Sequence, residues 1–291
     1  MEAILSEAGG AMAERARAEG LARAADVLAD RAFAVLTGAG LSTDSGIPDY
    51  RGDGKAPRIS PMTIQQFMSD ESTRRRYWAG AALGAARFSG AEPNAGHLAL
   101  AELERHGAAT GVATQNVDGL HLRAGSRNVV ELHGSMRTAS CTQCGHEVSR
   151  ASLLAAIIES SPGIAELAAD ASSRPDGDAE ASGAEIEELP SCPVCGGILQ
   201  PDVVMFGDVV RPEVAERARN LVDESDALLV AGTSLVVNTG RRLVHRAVAA
   251  GKPVVLFNRG GAAIEHLAFV YVDGGTSESL ADLAARLTSN S

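Results

Sequence analysis

Short, almost unbroken apolar runs punctuate this chain at intervals filled by amphipathic stretches. Ala32–Leu36, Ala108–Thr114, Asn128–Leu132, Ala227–Ala231, Pro253–Asn258 and Ala268–Val272 are five to seven residues each. That length suits buried strands and is too short for helices. Leu21, Ala24, Ala25 and Leu28 fall at helical spacing within residues 1–30. A helix led by Pro93, Asn94 and His97 continues through Leu98, Leu100 and Leu103 and stops at Gly107, and further helical spans lie around 212–224 and 239–250. Strands alternating with helices of this length imply βαβ crossovers. The expected fold is therefore α/β, a doubly wound parallel Rossmann-like sheet, with ligands at the carboxyl ends of its strands.

Two spans leave that rhythm. In 53–90, Ser60 and Pro61 open one helical stretch and Arg74–Phe88 forms another, which predicts a helical lid region over the end of the first strand. In 141–199, two cysteine pairs bracket an alanine-rich helical segment (151–171) and an acidic stretch (172–190). The latter sets Asp176, Asp178, Glu180, Glu185, Glu187 and Glu188 against Arg174, the composition of a solvated loop. The expected organisation is a Rossmann-like dinucleotide-binding domain from 1–140 and 200–291, with a small zinc-binding module inserted at 141–199.

Size and charge narrow the classes. At 291 residues and 45% hydrophobic, the chain can bury one large core plus a small one. A net charge of -11 argues against nucleic acid, which needs a basic surface to displace counterions, and suits neutral or basic partners. The most apolar window, Ala227–Val237, is broken by Gly232, Thr233 and Ser234, so no membrane span is expected. The amino terminus has neither an apolar signal core nor basic transit character, which makes a cytoplasmic protein the expectation. Nothing in the sequence sets the oligomeric state.

All four cysteines lie in Cys141-Thr-Gln-Cys144 and Cys192-Pro-Val-Cys195, each pair followed by glycine. This doubled C-x-x-C spacing predicts one tetrahedral, closed and hence structural zinc ion, with disulfides as the rival reading. His146 beside the first pair is not needed as a ligand. The stretch GAGLSTDSGIPDYRG (38–52) directly follows the first strand. Gly38 and Gly40 permit positive φ and close approach, so this turn suits a pyrophosphate, although a glycine turn after a strand is also ordinary. Pro48 interrupts any simple helix and sets Asp49, Tyr50 and Arg51 beside it.

Thr114–His121 (TQNVDGLH) and Glu131–Gly134 (ELHG) sit at the ends of the next two strands. Gln115, Asn116 and Asp118 offer two amides and a carboxylate for a carboxamide and ribose hydroxyls. His133 offers the one base of this group that titrates near neutrality. Gly232-Thr233-Ser234 and Asn258-Arg259-Gly260 follow later strands, where small residues, hydroxyls and an amide can approach a ribose or phosphate, or simply turn the chain.

The GAGxSxxSGIPDYRG, TQNVDGLH and ELHG stretches and the paired cysteines resemble the sirtuins, NAD-dependent protein-lysine deacylases, in motif order over about residues 30–285. The PDYR and VVMFGD wording is similar to the class II branch. The resemblance implies NAD as cofactor and acylated lysine side chains of proteins as partners. It makes His133 the general base on a ribose hydroxyl; the acyl oxygen then attacks the anomeric carbon as nicotinamide leaves, and an alkylimidate yields acyl-ADP-ribose and lysine. Asn116 and Asp118 would orient the nicotinamide ribose and carboxamide, Asp49 and Arg51 would close on the nicotinamide and phosphate side, and Ala39 would line the nicotinamide pocket. Gly38, Gly40, Ser42, Tyr50 and Gln115 belong to the same implied cofactor site, with Gly232, Thr233, Ser234, Asn258, Arg259 and Gly275 on the adenosine side.

Val203, Val204, Phe206 and Gly207 resemble the substrate strand, where an extended peptide would pair between 203–207 and 232–238. Tyr77 matches an acid-chain binder of the desuccinylating members or is a core aromatic; the partner Arg three residues on is replaced by Gly80, which implies poor desuccinylation. Deacetylation is the first expectation. Deacylation of longer chains, protein mono-ADP-ribosyl transfer and a non-enzymatic NAD-sensing zinc-ribbon module are the alternatives.

Overall fold

The computed structural model describes residues 2–49, 62–161, 163–164, 172–173, 179–180, 186 and 188–289, and the side chains of these except 2–11, 86–89, 172–173 and 179–180. Tyr50, Arg51, the helix start at Ser60–Pro61 and most of the acidic stretch 172–190 lie outside the described residues. In chain order the strands are β1 (Phe33–Thr37), β2 (Ala109–Thr114), β3 (Val129–Glu131), β4 (Gly134–Cys141), β5 (Glu147–Ser149), β6 (Ser172–Ser173), β7 (Ala179–Glu180), β8 (Leu199–Val203), β9 (Ala227–Ala231), β10 (Val254–Asn258) and β11 (Val270–Asp273).

Six of them form one parallel sheet in the order β11-β10-β9-β1-β2-β3. The chain starts in the centre, winds outward through β2 and β3, then returns to β9 and winds outward the other way. This is the Rossmann order, and the strand order reverses between β1 and β9. Thr37 is in register with Thr114 on one side and with Ala231 on the other, so the strand ends that follow them open into one crevice.

Both faces of the sheet are covered, which is why its strands read as continuous apolar runs. Along β1 the side chains alternate: Phe33 and Val35 pack with Leu21, Leu28, Leu100, Leu103, Leu280 and Leu283, whereas Ala34 and Leu36 pack with Leu221, Val222, Leu243 and Val244. The helix Ala95–Arg105 begins where the sequence places it. The Asn94 side chain accepts from the N–H groups of Gly96 and His97, and the Asn94 N–H donates to His97 Nδ1, closing a capping box.

A second, smaller core gathers Phe67, Tyr77, Trp78, Leu83, Ala139, Cys141, Leu154, Ile157, Cys192, Leu199 and Met205. The helices Ile64–Ser69 and Glu71–Ser89 thus share one core with the cysteine module and its antiparallel sheet β5-β4-β8. β4 is a strand absent from the expected set, because its residues GSMRTASC carry little apolar content. The helical segment expected over 151–171 is a helix from Arg150 to Ser160, capped by the Ser149 hydroxyl. Among the described residues, no helix is long and apolar enough to cross a membrane.

Candidate active site and metal centre

The loop leaving β1 is not the start of an α-helix. Two 3-10 turns, Ala39–Leu41 and Thr43–Ser45, follow in succession and end on Gly46 at φ 82. Gly38 is extended at φ -144, and neither it nor Gly40 adopts positive φ, contrary to the expectation for these glycines. Their requirement is proximity. A Cβ on Gly38 would stand 2.7 Å from the Thr233 Cβ, and one on Gly40 would stand 2.9 Å from the Gly232 carbonyl oxygen. The Gly40 N–H donates to that same oxygen at 2.8 Å, so the two glycine loops of β1 and β9 are laced together at the point where the strand order reverses.

The residues after β2 complete this seam. The Asn116 amide donates to the Gly38 carbonyl and to Ser42 Oγ, both at 3.0 Å, and Ser42 Oγ donates to Asp118 at 2.8 Å. Burial holds the Asp118 carboxyl above its usual range, against the opposing pull of hydrogen bonds from the Leu120 N–H and Ser42. Thr233 Oγ1 donates to Gln115 Oε1 at 2.7 Å. The structure therefore brings Gly38, Ala39, Gly40, Ser42, Gln115, Asn116, Asp118, Gly232, Thr233 and Ser234 to one crevice, with Asp49 half-buried at the far end of the first loop.

His133 follows β3 and enters the same crevice, half-buried. Its Nδ1 lies 3.0 Å from the Gln115 carbonyl oxygen and its Nε2 2.8 Å from Thr239 Oγ1. Burial lowers its pKa from the ordinary 6.5, opposed by the Gln115 carbonyl, so the ring is neutral and available as a base near pH 7. The His133 carbonyl accepts from the Val204 N–H at 2.8 Å, which ties the residues after β8 to the crevice.

On the side of β10 and β11, the buried Asn258 amide donates to the Arg259 and Gly261 carbonyls and shapes its own turn. Arg259 is exposed, and its guanidinium passes within 3.4 Å of where a Cβ on Gly275 would stand, so these two positions, remote in sequence, are neighbours. Of the substrate-strand residues, Val203 and Val204 are half-buried and Phe206 is 47% exposed. The Phe206 carbonyl accepts from the Ile64 N–H and the Gly207 carbonyl from Gln65, so part of the backbone expected to pair with a peptide is already engaged. Tyr77 is 6% exposed and packs edge-on against Phe67 and Trp78 in the smaller core, and Gly80, three residues on, is buried with it.

The four cysteine Sγ atoms lie within 4.8 Å of one another. Separations of 3.5 Å for Cys141–Cys195 and 3.6 Å for Cys144–Cys192 are far from the bonded distance of about 2.05 Å, and all four cysteines are free thiols in the structure. Each pair forms a knuckle: Gly145 and Gly196 both sit at φ 72, and the N–H groups of Gln143 and Val194 point at the Cys141 and Cys192 sulfurs at 3.4 Å. The backbone N–H of Cys144 leads the hydrogen bonds that bring the Cys141 thiol down to about 6, whereas Cys195, despite the Gly197 N–H, is pushed up to about 12 by the neighbouring cysteine sulfurs, as expected of sulfurs crowded together. A Cβ on Gly197 would stand 2.8 Å from the Cys141 sulfur. Four converging thiolates with N–H support fit one tetrahedral zinc ion with no open position for water.

Further polar contacts at the site join residues far apart in the sequence, and nothing in the sequence singles out Thr37 or Thr239. Thr37 and Thr114 hydroxyls bond to each other at 2.8 Å beneath the crevice, and Thr37 Oγ1 also meets His121 Nε2 at 2.8 Å. His121 stacks edge-on with His97 at 4.9 Å, both fully buried. Thr239, on the first turn of the helix Asn238–Ala249, holds His133.

A profile of the Sir2 family matches residues 38–239. "NAD-dependent protein deacetylase 1" of Mycobacterium avium is 49% identical over 90% of this chain and 94% of its own. The protein of the same name from Streptomyces coelicolor is 46% identical over 92% of this chain and 90% of its own. Among solved structures, a Sir2 homologue in complex with NAD superposes with a TM-score of 0.71 at 32% identity, covering 92% of this chain and 94% of the other. The chain belongs to the Sir2 family.

Proposed function

We propose that this member of the Sir2 family is an NAD-dependent protein-lysine deacetylase, an enzyme that moves an acyl group from lysine to ADP-ribose and releases nicotinamide. The observation that carries this reading is the convergence of the Gly38–Ser42 turn, Gln115–Asp118, His133 and Gly232–Ser234 at one crevice where the strand order of the sheet reverses. Relatives named as NAD-dependent deacetylases at 49% and 46% identity support it.

Bound NAD supplies the reactive glycosidic bond, whose cleavage opens the anomeric carbon to the acyl oxygen. The chain's own residues orient it. The Gly38–Gly40 turn lets the backbone approach a pyrophosphate without Cβ interference. Asn116 and Asp118, fixed by Ser42, present an amide and a carboxylate to the nicotinamide ribose and carboxamide. His133, neutral in its buried setting, takes a proton from a ribose hydroxyl on Nε2. Thr233, Ser234, Arg259 and Gly275 face the adenosine half. Asp49 serves the nicotinamide side, and the sequence after it supplies Tyr50 and Arg51 for the same task. The four-cysteine zinc site shapes the smaller lobe and takes no part in proton transfer.

An acylated lysine segment lies between the residues after β8 and the residues 234–237. Phe206, Val209, Val236 and Val237 are 44–77% exposed there and offer apolar contact. Succinyl-lysine is a poor substrate, because Gly80 supplies no guanidinium for its carboxylate.

The test incubates acetylated, longer-acyl and succinylated peptides with NAD and weighs the products. Acetyl-ADP-ribose with free nicotinamide is the expected outcome. A mass gain on an acceptor protein would point instead to ADP-ribosyl transfer, and no nicotinamide release would leave a binding module.

A further inference from the structure

The imidazole of His133 is held at both nitrogens by partners of unlike chemistry. The Gln115 carbonyl at Nδ1 has lone pairs and no proton, so Nδ1 carries the ring hydrogen. The ring is neutral, and Nε2 is therefore the nitrogen with the lone pair. The Thr239 hydroxyl, 2.8 Å away, is the partner that can rotate, and it donates to that lone pair.

The position of Thr239 is built rather than incidental. The helix Asn238–Ala249 starts directly after Val237, and the buried Gly240 seats its first turn on Gln115: a Cβ there would stand 3.1 Å from the Gln115 amide nitrogen. The residue whose carbonyl grips Nδ1 is thus also the residue on which the helix bearing Thr239 rests. Among the described residues, no charged group is an influence on the ring. Burial and the Gln115 carbonyl are the influences acting on His133. The acids on the adjoining strand ends are engaged elsewhere, Asp118 by Ser42 and the Leu120 N–H, and Glu131 by both guanidinium arms of Arg137.

We propose that Thr239 is a positioning residue for the base: in the NAD-free protein its hydroxyl donates to the single lone pair of Nε2 and fixes the neutral ring, it yields that lone pair to the ribose hydroxyl when NAD binds, and it turns to accept from Nε2–H when the ring of the NAD-free protein is protonated. This rests on the reading of His133 as the base. The proton balance is closed, since the ribose hydroxyl loses one proton, Nε2 gains it, and Thr239 keeps its own throughout. A hydrogen bond to the charged ring is stronger than one to the neutral ring, so the hydroxyl favours protonation overall.

Thr239→Val keeps the shape and removes the hydroxyl, whereas Thr239→Ser keeps the hydroxyl. NMR titration of the His133 ring nitrogens in the zinc-loaded full chain without NAD should show the Val variant titrating about half to one pH unit lower than the parent, with its Nε2 resonance displaced. The Ser variant should match the parent in both. In the assay, the acid limb of kcat/KM for NAD should move down with the titration, and the plateau should fall about tenfold in the Val variant. A Val variant with the parental titration and Nε2 resonance overturns the proposal. A displaced titration with an unmoved pH–rate profile leaves the grip of Thr239 standing and overturns His133 as the base.

Discussion

The crevice and the cysteine module are held together by opposite means. In the crevice the polar groups of the seam bond to one another: Asn116 on Gly38 and Ser42, Ser42 on Asp118, Thr233 on Gln115, His133 on Gln115 and Thr239. In the module four sulfurs converge with backbone N–H groups as their support, and four thiolates at that spacing repel unless a cation sits among them. The site of chemistry is therefore preorganised by hydrogen bonds on a rigid sheet edge, and the smaller lobe borrows its rigidity from an ion. The difference follows from size. The large sheet buries both faces, whereas a three-stranded antiparallel sheet with a few helices has little core to spare.

The sharpest way to break this comparison is Cys141→Ser. Structural zinc is worth roughly 10 kcal/mol or more in small modules, so the variant should lose its metal and the order of the smaller core together. Trp78, the single tryptophan of the chain, is fully buried in that core and reports on it directly. Its emission should shift to the red on chelation or in the variant, while the six-stranded sheet stays folded. A metal-free protein with unchanged emission and melting would show that the module does not need its ion.

His133→Ala probes the other side. Loss of a general base costs about 10²- to 10⁴-fold, and here the fold and zinc content should be untouched because the seam Asn116–Ser42–Asp118 does not run through the ring. Turnover within a few-fold of the parent would defeat the assignment of the base.

A smaller effect comes from acid. Burial lowers His97 from 6.5 to about 4, and burial followed by the neighbouring His97 lowers His121 well below its ordinary value. Both rings stay neutral in the fold while the unfolded chain takes up protons below 6.5, so stability is complete above that pH and declines as pH falls. For His97 alone the loss approaches roughly 3 kcal/mol by pH 4. Melting followed from pH 7 to pH 4 should show this slope, and His97→Gln, which keeps an acceptor at that helix position, should flatten it. An unchanged slope in the variant would place the acid sensitivity elsewhere.

How far these features can be read without coordinates differs between elements. The parallel strands announce themselves, since burial on both faces demands consecutive apolar residues, and each expected run lies within one or two residues of a strand of the sheet. β4 did not, because its inward positions are Ser, Ala and Cys and its outward ones Arg and Thr. The glycines of the first loop were expected for their φ and proved to be needed for approach to Gly232 and Thr233, across the sheet.

By itself, then, the chain's sequence determined the sheet, the order of its motifs and the cysteine set, because apolar runs, helical periodicity and C-x-x-C spacing act over a few neighbouring residues. Tertiary structure alone decided which nitrogen of His133 faces the Gln115 carbonyl and which the Thr239 hydroxyl, that Thr239 stands against it from 106 positions away, and that His97 and His121 share one buried pocket. Those contacts depend on strand order and register across the sheet, and no local pattern encodes a hydrogen bond between residues that meet only when β1, β2, β3 and β9 lie side by side.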